Sequence, residues 1–264
     1  MTTGGPTADE LAPFLDLAER MADAAAPVVM KHFRSAMAVD SKADLSPVTL
    51  ADKEAEDVMR QMILSAWPDH GIIGEERGKI NAEAEFVWVL DPIDGTQSFA
   101  TGKPLFGILI ALLYKGRPVI GVMDHPALKE RWSGCDGRPT TLNGAAAHVR
   151  PGAALDQAWL YATSPQMFPE DDFAAFERLR KKSRRAIYGA ECYAYGLLAS
   201  GHIDLVCEST MQPYDYCALI PVVTGAGGMI TDWRGEALTL KSDGRVLASG
   251  DARIHEQAIK TLTT

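Results

Sequence analysis

One stretch constrains this chain more than any other: Trp88-Val89-Leu90-Asp91-Pro92-Ile93-Asp94-Gly95-Thr96. The apolar run over 86–90 predicts a buried strand. Pro92 has no N–H to give to a sheet ladder, so the strand is expected to stop at Asp91-Pro92. Asp91 and Asp94 then share a tight turn, with Gly95 behind them free to turn sharply and to approach a ligand. Two carboxylates on a rigid turn suit a hard cation that takes oxygen ligands. The same residues also fit a plain strand-to-helix turn in which Asp94 caps the helix. The rest of the chain decides between the two.

With 264 residues, 47% of them hydrophobic, the chain can bury a large core in one domain or two closely joined lobes. It has no run of 18 apolar residues, so no membrane span is expected. The opening Met1-Thr2-Thr3-Gly4-Gly5-Pro6 lacks the charged and apolar regions of a secretory signal, so a cytoplasmic location is expected. Cys135, Cys192, Cys207 and Cys217 form no CxxC pair and read as buried free thiols. The histidines show no metal-ligand spacing. A net charge of -9 argues against a nucleic-acid partner.

Apolar residues at three- and four-residue steps predict a helix over 8–33. A polar loop follows at 41–47, and Thr49 is placed to cap a second helix over 50–66, with Asp52 in its first turn. A short strand over 72–74 leads to Glu75-Glu76 and a polar excursion to Glu85. Hairpin strands are expected at 107–113 and 118–123 around Lys115-Gly116, with a third over 131–135. From Leu142 strands (159–163, 203–207, 229–231, 246–249) alternate with helices (173–180, 191–200, 214–225, 255–262). This divides the chain into residues 1–141 and 142–264. The basic run 178–185 reads as a solvated helix end and loop. Glu56, Glu76 and His202 read as surface residues and Trp88 as core; Lys42 reads equally as a loop group near a cation or as a solvated lysine.

Three motifs, in order, resemble those of the inositol monophosphatase family: Gly74-Glu75-Glu76, Asp91-Pro92-Ile93-Asp94-Gly95-Thr96, and Pro213-Tyr214-Asp215-Tyr216 before a helix ending Gly225-Ala226-Gly227-Gly228. Flanking stretches are similar to the histidinol-phosphatase branch: Gly102-Lys103-Pro104-Leu105-Phe106-Gly107, Glu130-Arg131-Trp132, Arg138-Pro139-Thr140-Thr141-Leu142-Asn143-Gly144 and Cys192-Tyr193-Ala194-Tyr195-Gly196. The resemblance implies an α+β fold, a layered αβαβα sandwich, usually a homodimer. It implies two or three Mg²⁺ ions per site, with Mn²⁺ tolerated, held by Glu75, Asp91, Asp94, Asp215 and the Ile93 carbonyl. It implies catalysis by Asp52 and Thr96, which orient the attacking water, together with Glu75. Substrate would meet Asp94, Gly95, Thr96, Glu191, Glu208 and Asp215, with Gly95 and Thr96 giving backbone N–H groups to the phosphate. One departure concerns Glu191, where the branch often carries aspartate.

The chemistry is coherent in its own right. Asp52, Glu75, Asp91, Asp94 and Asp215 in one cleft would repel, and some would stay protonated without cations. Paired metals roughly 3.5–4 Å apart can clamp the attacking and leaving oxygens of an in-line displacement. The resemblance to the histidinol-phosphatase branch implies hydrolysis of L-histidinol phosphate, late in histidine biosynthesis, with Glu191 and Glu208 as the acids that could meet the substrate's ammonium group. An inositol-1-phosphate or sugar-phosphate phosphatase is the nearest alternative. A non-catalytic metal- or phosphate-binding protein of the same fold is a third.

Overall fold

Helix α1, Ala8–His32, begins where Thr7 and Glu10 cap each other: the Thr7 hydroxyl accepts the Glu10 N–H, and the Glu10 carboxylate accepts the Thr7 N–H. Its buried stripe includes Leu11, Phe14, Ala18, Met21, Ala22, Ala25 and Val29, as the helical spacing predicts. The computed structural model describes residues 5–35, 47–152 and 154–264. The loop expected at 41–47 therefore lies, up to residue 46 and including Lys42, outside the described residues. Helix α2, Pro47–Ala66, starts earlier than expected. Pro47 opens the first turn, where a missing N–H costs nothing, and Thr49 is already inside the helix instead of capping it.

Strands β1 (Gly71–Gly74), β2 (Gly78–Ile80), β3 (Phe86–Asp94), β4 (Gly107–Tyr114), β5 (Arg117–His125), β6 (Glu130–Cys135), β7 (Arg138–Leu142) and β8 (Ala145–Ala146) form one sheet, in the order β2-β1-β3-β4-β5-β6-β7-β8. Its β1–β3 pair is parallel and the others are antiparallel. β2 is exposed throughout, and β7 and β8 are short, so none carries the apolar alternation that marks a strand in a sequence. β3 does not stop at Pro92. The register passes from Asp91↔Leu109 to Asp94↔Gly107, so one extra residue bulges out and the proline is accommodated there. Helix α3, Thr96–Ala100, follows directly.

The second sheet holds β9 (Trp159–Ala162), β10 (Arg185–Tyr188), β11 (Leu205–Glu208), β12 (Met229–Thr231) and β13 (Val246–Ser249), in the order β10-β9-β11-β13-β12. Helices α4 (Glu170–Lys182), α5 (Tyr193–Ala199), α6 (Pro213–Tyr216), α7 (Leu219–Gly225) and α8 (Ala252–Leu262) accompany it. The helix expected over 214–225 is two helices, because Pro221 has no N–H to give the Cys217 carbonyl. Glu191 lies before α5, not within it. The basic run ends in β10, and Arg178 donates to the Thr261 and Leu262 carbonyls at the end of α8.

Alternation along the strands sorts the first sheet's side chains. Trp88, Leu90, Ile108, Ile110 and Ile120 pack with α1 and α2, while Val87, Val89, Leu109, Ala111 and Met123 face α5 and α7. Those two helices meet the second sheet through Val206, Val246 and Ala248. Phe176 and Leu179 of α4, with Ile254 and Ala258 of α8, cover its far side over Leu160, Leu205 and Leu247. The layers run helix, sheet, helix, sheet, helix: the α+β sandwich that the resemblance implied. All four cysteines are buried and unpaired. No helix among the described residues is long and apolar enough to cross a membrane.

Helix α7 touches the first sheet backbone to backbone. A Cβ at Gly121 would lie 1.9 Å from the Ala218 oxygen, and one at Gly134 would lie 2.4 Å from Pro221. Gly121→Ala should therefore cost about 1–3 kcal/mol, read from urea denaturation. A loss below about 0.5 kcal/mol, the range of an ordinary surface change, would mean that α7 can withdraw from the sheet freely.

Candidate active site

The β3 bulge aims two carboxylates into the cleft between the sheets. Asp91 is buried, and its Oδ1 accepts the Ile93 N–H at 3.0 Å inside the bulge. Asp94 ends β3. It does not cap α3: the cap position belongs to Gly95, in the left-handed region at φ 82. Asp94 Oδ2 instead accepts the Cys192 N–H at 2.9 Å, from the loop before α5. The third acid arrives from the far end of the chain. Asp215 sits in the first turn of α6, and its Oδ2 accepts the Gln212 N–H at 2.7 Å.

Asp91, Asp94 and Asp215 each present a ligand oxygen within 4.8 Å of the other two. Each carboxylate spends one oxygen on a backbone N–H, which fixes its direction, and has a second to offer. Asp52, in α2, is buried, and its Oδ1 has no hydrogen-bond partner among the described residues. Glu75 follows β1, held beside the end of β3 by its N–H to the Leu90 carbonyl at 3.2 Å. Its side chain is more exposed than the others and lies close enough to Asp91 to raise that carboxyl's proton affinity. This donor set is all oxygen, anionic and incompletely partnered, and it fits divalent cations. The residues able to hold them are Asp91, Asp94, Asp215 and Glu75. The Ile93 carbonyl, also expected as a ligand, accepts the Thr96 hydroxyl at 3.3 Å. Thr96 and Asp52 do not hydrogen-bond each other.

Crowding raises the proton affinity of these acids. Burial first, then Glu76, Glu75 and Glu56, pushes Asp52 up to about 8. Burial and Asp94 push Asp215 up to about 8. Burial, then Glu75, Asp94, Asp215 and Asp52, holds Asp91 well above the carboxylate range. Asp94 and Glu75 are raised mainly by burial.

Beside the acids opens a cavity of about 670 Å³, lined by Asp94, Gly95, Thr96, Glu191, Glu208 and Asp215 among others. That is the size of a small-molecule site. Glu208 ends β11 with its carboxylate accepting from Thr163 N–H, the Thr163 hydroxyl and the Tyr195 hydroxyl, and burial pushes it up to about 7. Glu56 is no surface acid. It is fully buried, paired with Arg60, and accepts the Glu76 and Arg77 N–H groups at 2.8 and 3.1 Å, so it shapes the turn that carries Glu75. A Glu with an Arg four residues on, beneath a Gly-Glu-Glu turn, was the only signal for it. His202 is exposed and Trp88 is core, as expected.

The sequence profile of the inositol monophosphatase family matches residues 10–264. The chain belongs to that family. The bifunctional phosphatase IMPL2 of Arabidopsis thaliana, a chloroplastic protein, is 49% identical over 262 residues, 96% of this chain and 76% of the relative. A histidinol-phosphatase of Chlorobaculum parvum is 34% identical over 90% of this chain and 93% of its own. The solved structure of an inositol monophosphatase from Zymomonas mobilis is similar at a TM-score of 0.91 and 43% identity, covering 96% of this chain and 99% of that one. The protein is thus a phosphatase of the inositol monophosphatase family.

The acids make stability depend on pH and on cations. Unfolded, Asp52 and Asp215 ionise near 3.8; folded, they keep their protons to about 8. Between those values the folded, cation-free protein binds more protons than the unfolded chain, so rising pH destabilises it. After chelation, the melting temperature should fall between about pH 5.5 and pH 8.5, and Mg²⁺ should restore it more at the higher pH. Melting curves indifferent to both pH and cation would contradict the cluster as a cation site.

Proposed function

We propose that this phosphatase uses Mg²⁺ to hydrolyse L-histidinol phosphate to L-histidinol and phosphate, a step of histidine biosynthesis. In this reading residues 1–141 supply Glu75, Asp91, Asp94 and the Ile93 carbonyl as ligands. Residues 142–264 supply Asp215 and the groups that read the alcohol. Bound divalent cations would neutralise the phosphate oxygens and make water a better nucleophile near neutral pH. Asp52, through its unpartnered Oδ1, and the Thr96 hydroxyl orient the attacking water, with Glu75 beside them. Gly95 and Thr96 offer backbone N–H groups to the phosphate at the start of α3.

The observation that carries the choice of substrate is Glu208. It is a buried carboxylate on the cavity wall, and its three hydrogen bonds come from neutral donors. A substrate ammonium beside it would supply the missing positive charge and hold it ionised, in a charge-assisted contact about twice as strong as a neutral hydrogen bond. Inositol phosphates bring hydroxyls and no cation. Similarity to a histidinol-phosphatase supports this reading, and the Zymomonas mobilis structure supports the inositol phosphate alternative. The four buried unpaired thiols agree with the reducing cytoplasm. The family resemblance makes the homodimer the expected assembly.

Steady-state kinetics with both esters decide the substrate. The wild type should prefer histidinol phosphate to inositol 1-phosphate by about a hundredfold or more in kcat/KM, roughly 2.7 kcal/mol. Glu208→Gln should erode that preference mainly through the histidinol-phosphate KM. Equal efficiency on the two esters would replace the histidinol reading with the inositol one.

A further inference from the structure

We infer that Glu191 is a positioning residue: with Ser98 and Lys103 it latches the loop at 189–192 onto the turn that carries Asp94, and so aims that carboxylate. The inference rests on the acid cluster being the cation site of the proposed phosphatase. It does not depend on which ester is cleaved.

The two segments belong to different sheets. The loop leaves β10 at the edge of the second sheet, and the turn leaves β3 in the first. Five contacts join them. The Ser98 hydroxyl donates to Glu191 Oε1 at 2.5 Å, across 93 residues of sequence. Lys103 Nζ stands 3.6 Å from the same oxygen and donates to the Gly189 carbonyl. The stem of Glu191 lies on Gly95, where an added Cβ would meet its Cγ at 2.8 Å. The next residue, Cys192, gives its N–H to Asp94 Oδ2.

Glu191 also has a backbone that few side-chain-bearing residues adopt, at φ 52. Such a conformation persists where surrounding contacts impose it, and here the contacts are the latch. Its carboxylate lines the cavity, but Oε1 is already engaged by a hydroxyl and faced by a lysine. A substrate ammonium would meet an acid whose charge is largely offset, unlike Glu208. The direction of Asp94, by contrast, depends on where the Cys192 N–H is held.

The test separates positioning from substrate reading. Ser98→Ala, Lys103→Met and Glu191→Gln would be titrated with Mn²⁺ alone by calorimetry, without substrate, and then assayed on histidinol phosphate and inositol 1-phosphate. Loss of the latch should weaken Mn²⁺ binding about 10–100-fold, as loss of groups that orient metal ligands does. It should lower kcat alike for both esters and leave the ratio of their KM values unchanged. Lys103→Met and Glu191→Gln should combine less than additively, because each removes the charge pair between them, while the amide oxygen of Gln can still accept from Ser98. Lys103 is partly exposed, so Lys103→Met keeps the test open if Glu191→Gln melts early. Mn²⁺ affinity within about twofold of the wild type in Lys103→Met and Ser98→Ala would overturn the latch. So would a selective rise of the histidinol-phosphate KM in Glu191→Gln at unchanged Mn²⁺ affinity. A wild type that binds Mn²⁺ but cleaves neither ester would remove the substrate reading and leave the latch to be judged by the titrations.

Discussion

The structure depends on keeping mutually repelling carboxylates in one buried place. Asp91 is nearly inaccessible, Asp94 follows it on the same strand end, and Asp52 of α2 and Asp215 of α6 come from two other elements. Hydrophobic burial alone would expel such a set. The backbone holds it: N–H groups of Ile93, Cys192 and Gln212 each grip one carboxylate oxygen. These bonds fix direction, but they do not cancel charge. The residual charge is the property a divalent cation, and then a phosphate ester, can use.

Five layers are needed because the acids come from distant parts of the chain. β3 carries Asp91 and Asp94, α2 carries Asp52, and α6 carries Asp215 more than a hundred residues later. The α5–α7 layer packs on both sheets, through Val89 and Leu109 on one side and Val206 and Ala248 on the other. Glycines in β5 and β6 let α7 lie directly on the first sheet. Cross-layer contacts such as Ser98 with Glu191 then register the two sheets at the site itself.

The α1 stripe, the β4–β5 hairpin and the motif acids were legible in the sequence, because each depends on local spacing or on a short motif. The end of β3 was not. Pro92 argues correctly that no ladder bond forms there, but a bulge satisfies that constraint and lets the strand continue to Asp94. Glu56 looked like a surface acid because nothing local reveals that the turn after β1 folds back over it. Glu191 looked helical because its left-handed backbone and its partners Ser98 and Lys103 are fixed by tertiary contacts. The Cys192 N–H could not be foreseen at all, since a backbone donor leaves no trace in residue identity.

The central claim is that Asp91, Asp94 and Asp215 together hold the divalent cation on which hydrolysis depends. Anomalous diffraction from crystals grown with Mn²⁺ tests it most directly. The account predicts anomalous density among these three carboxylates, within oxygen-ligand distance of each, and its loss in Asp94→Asn crystals. Saturating Mn²⁺ with no density there, or density unchanged in Asp94→Asn, would contradict it.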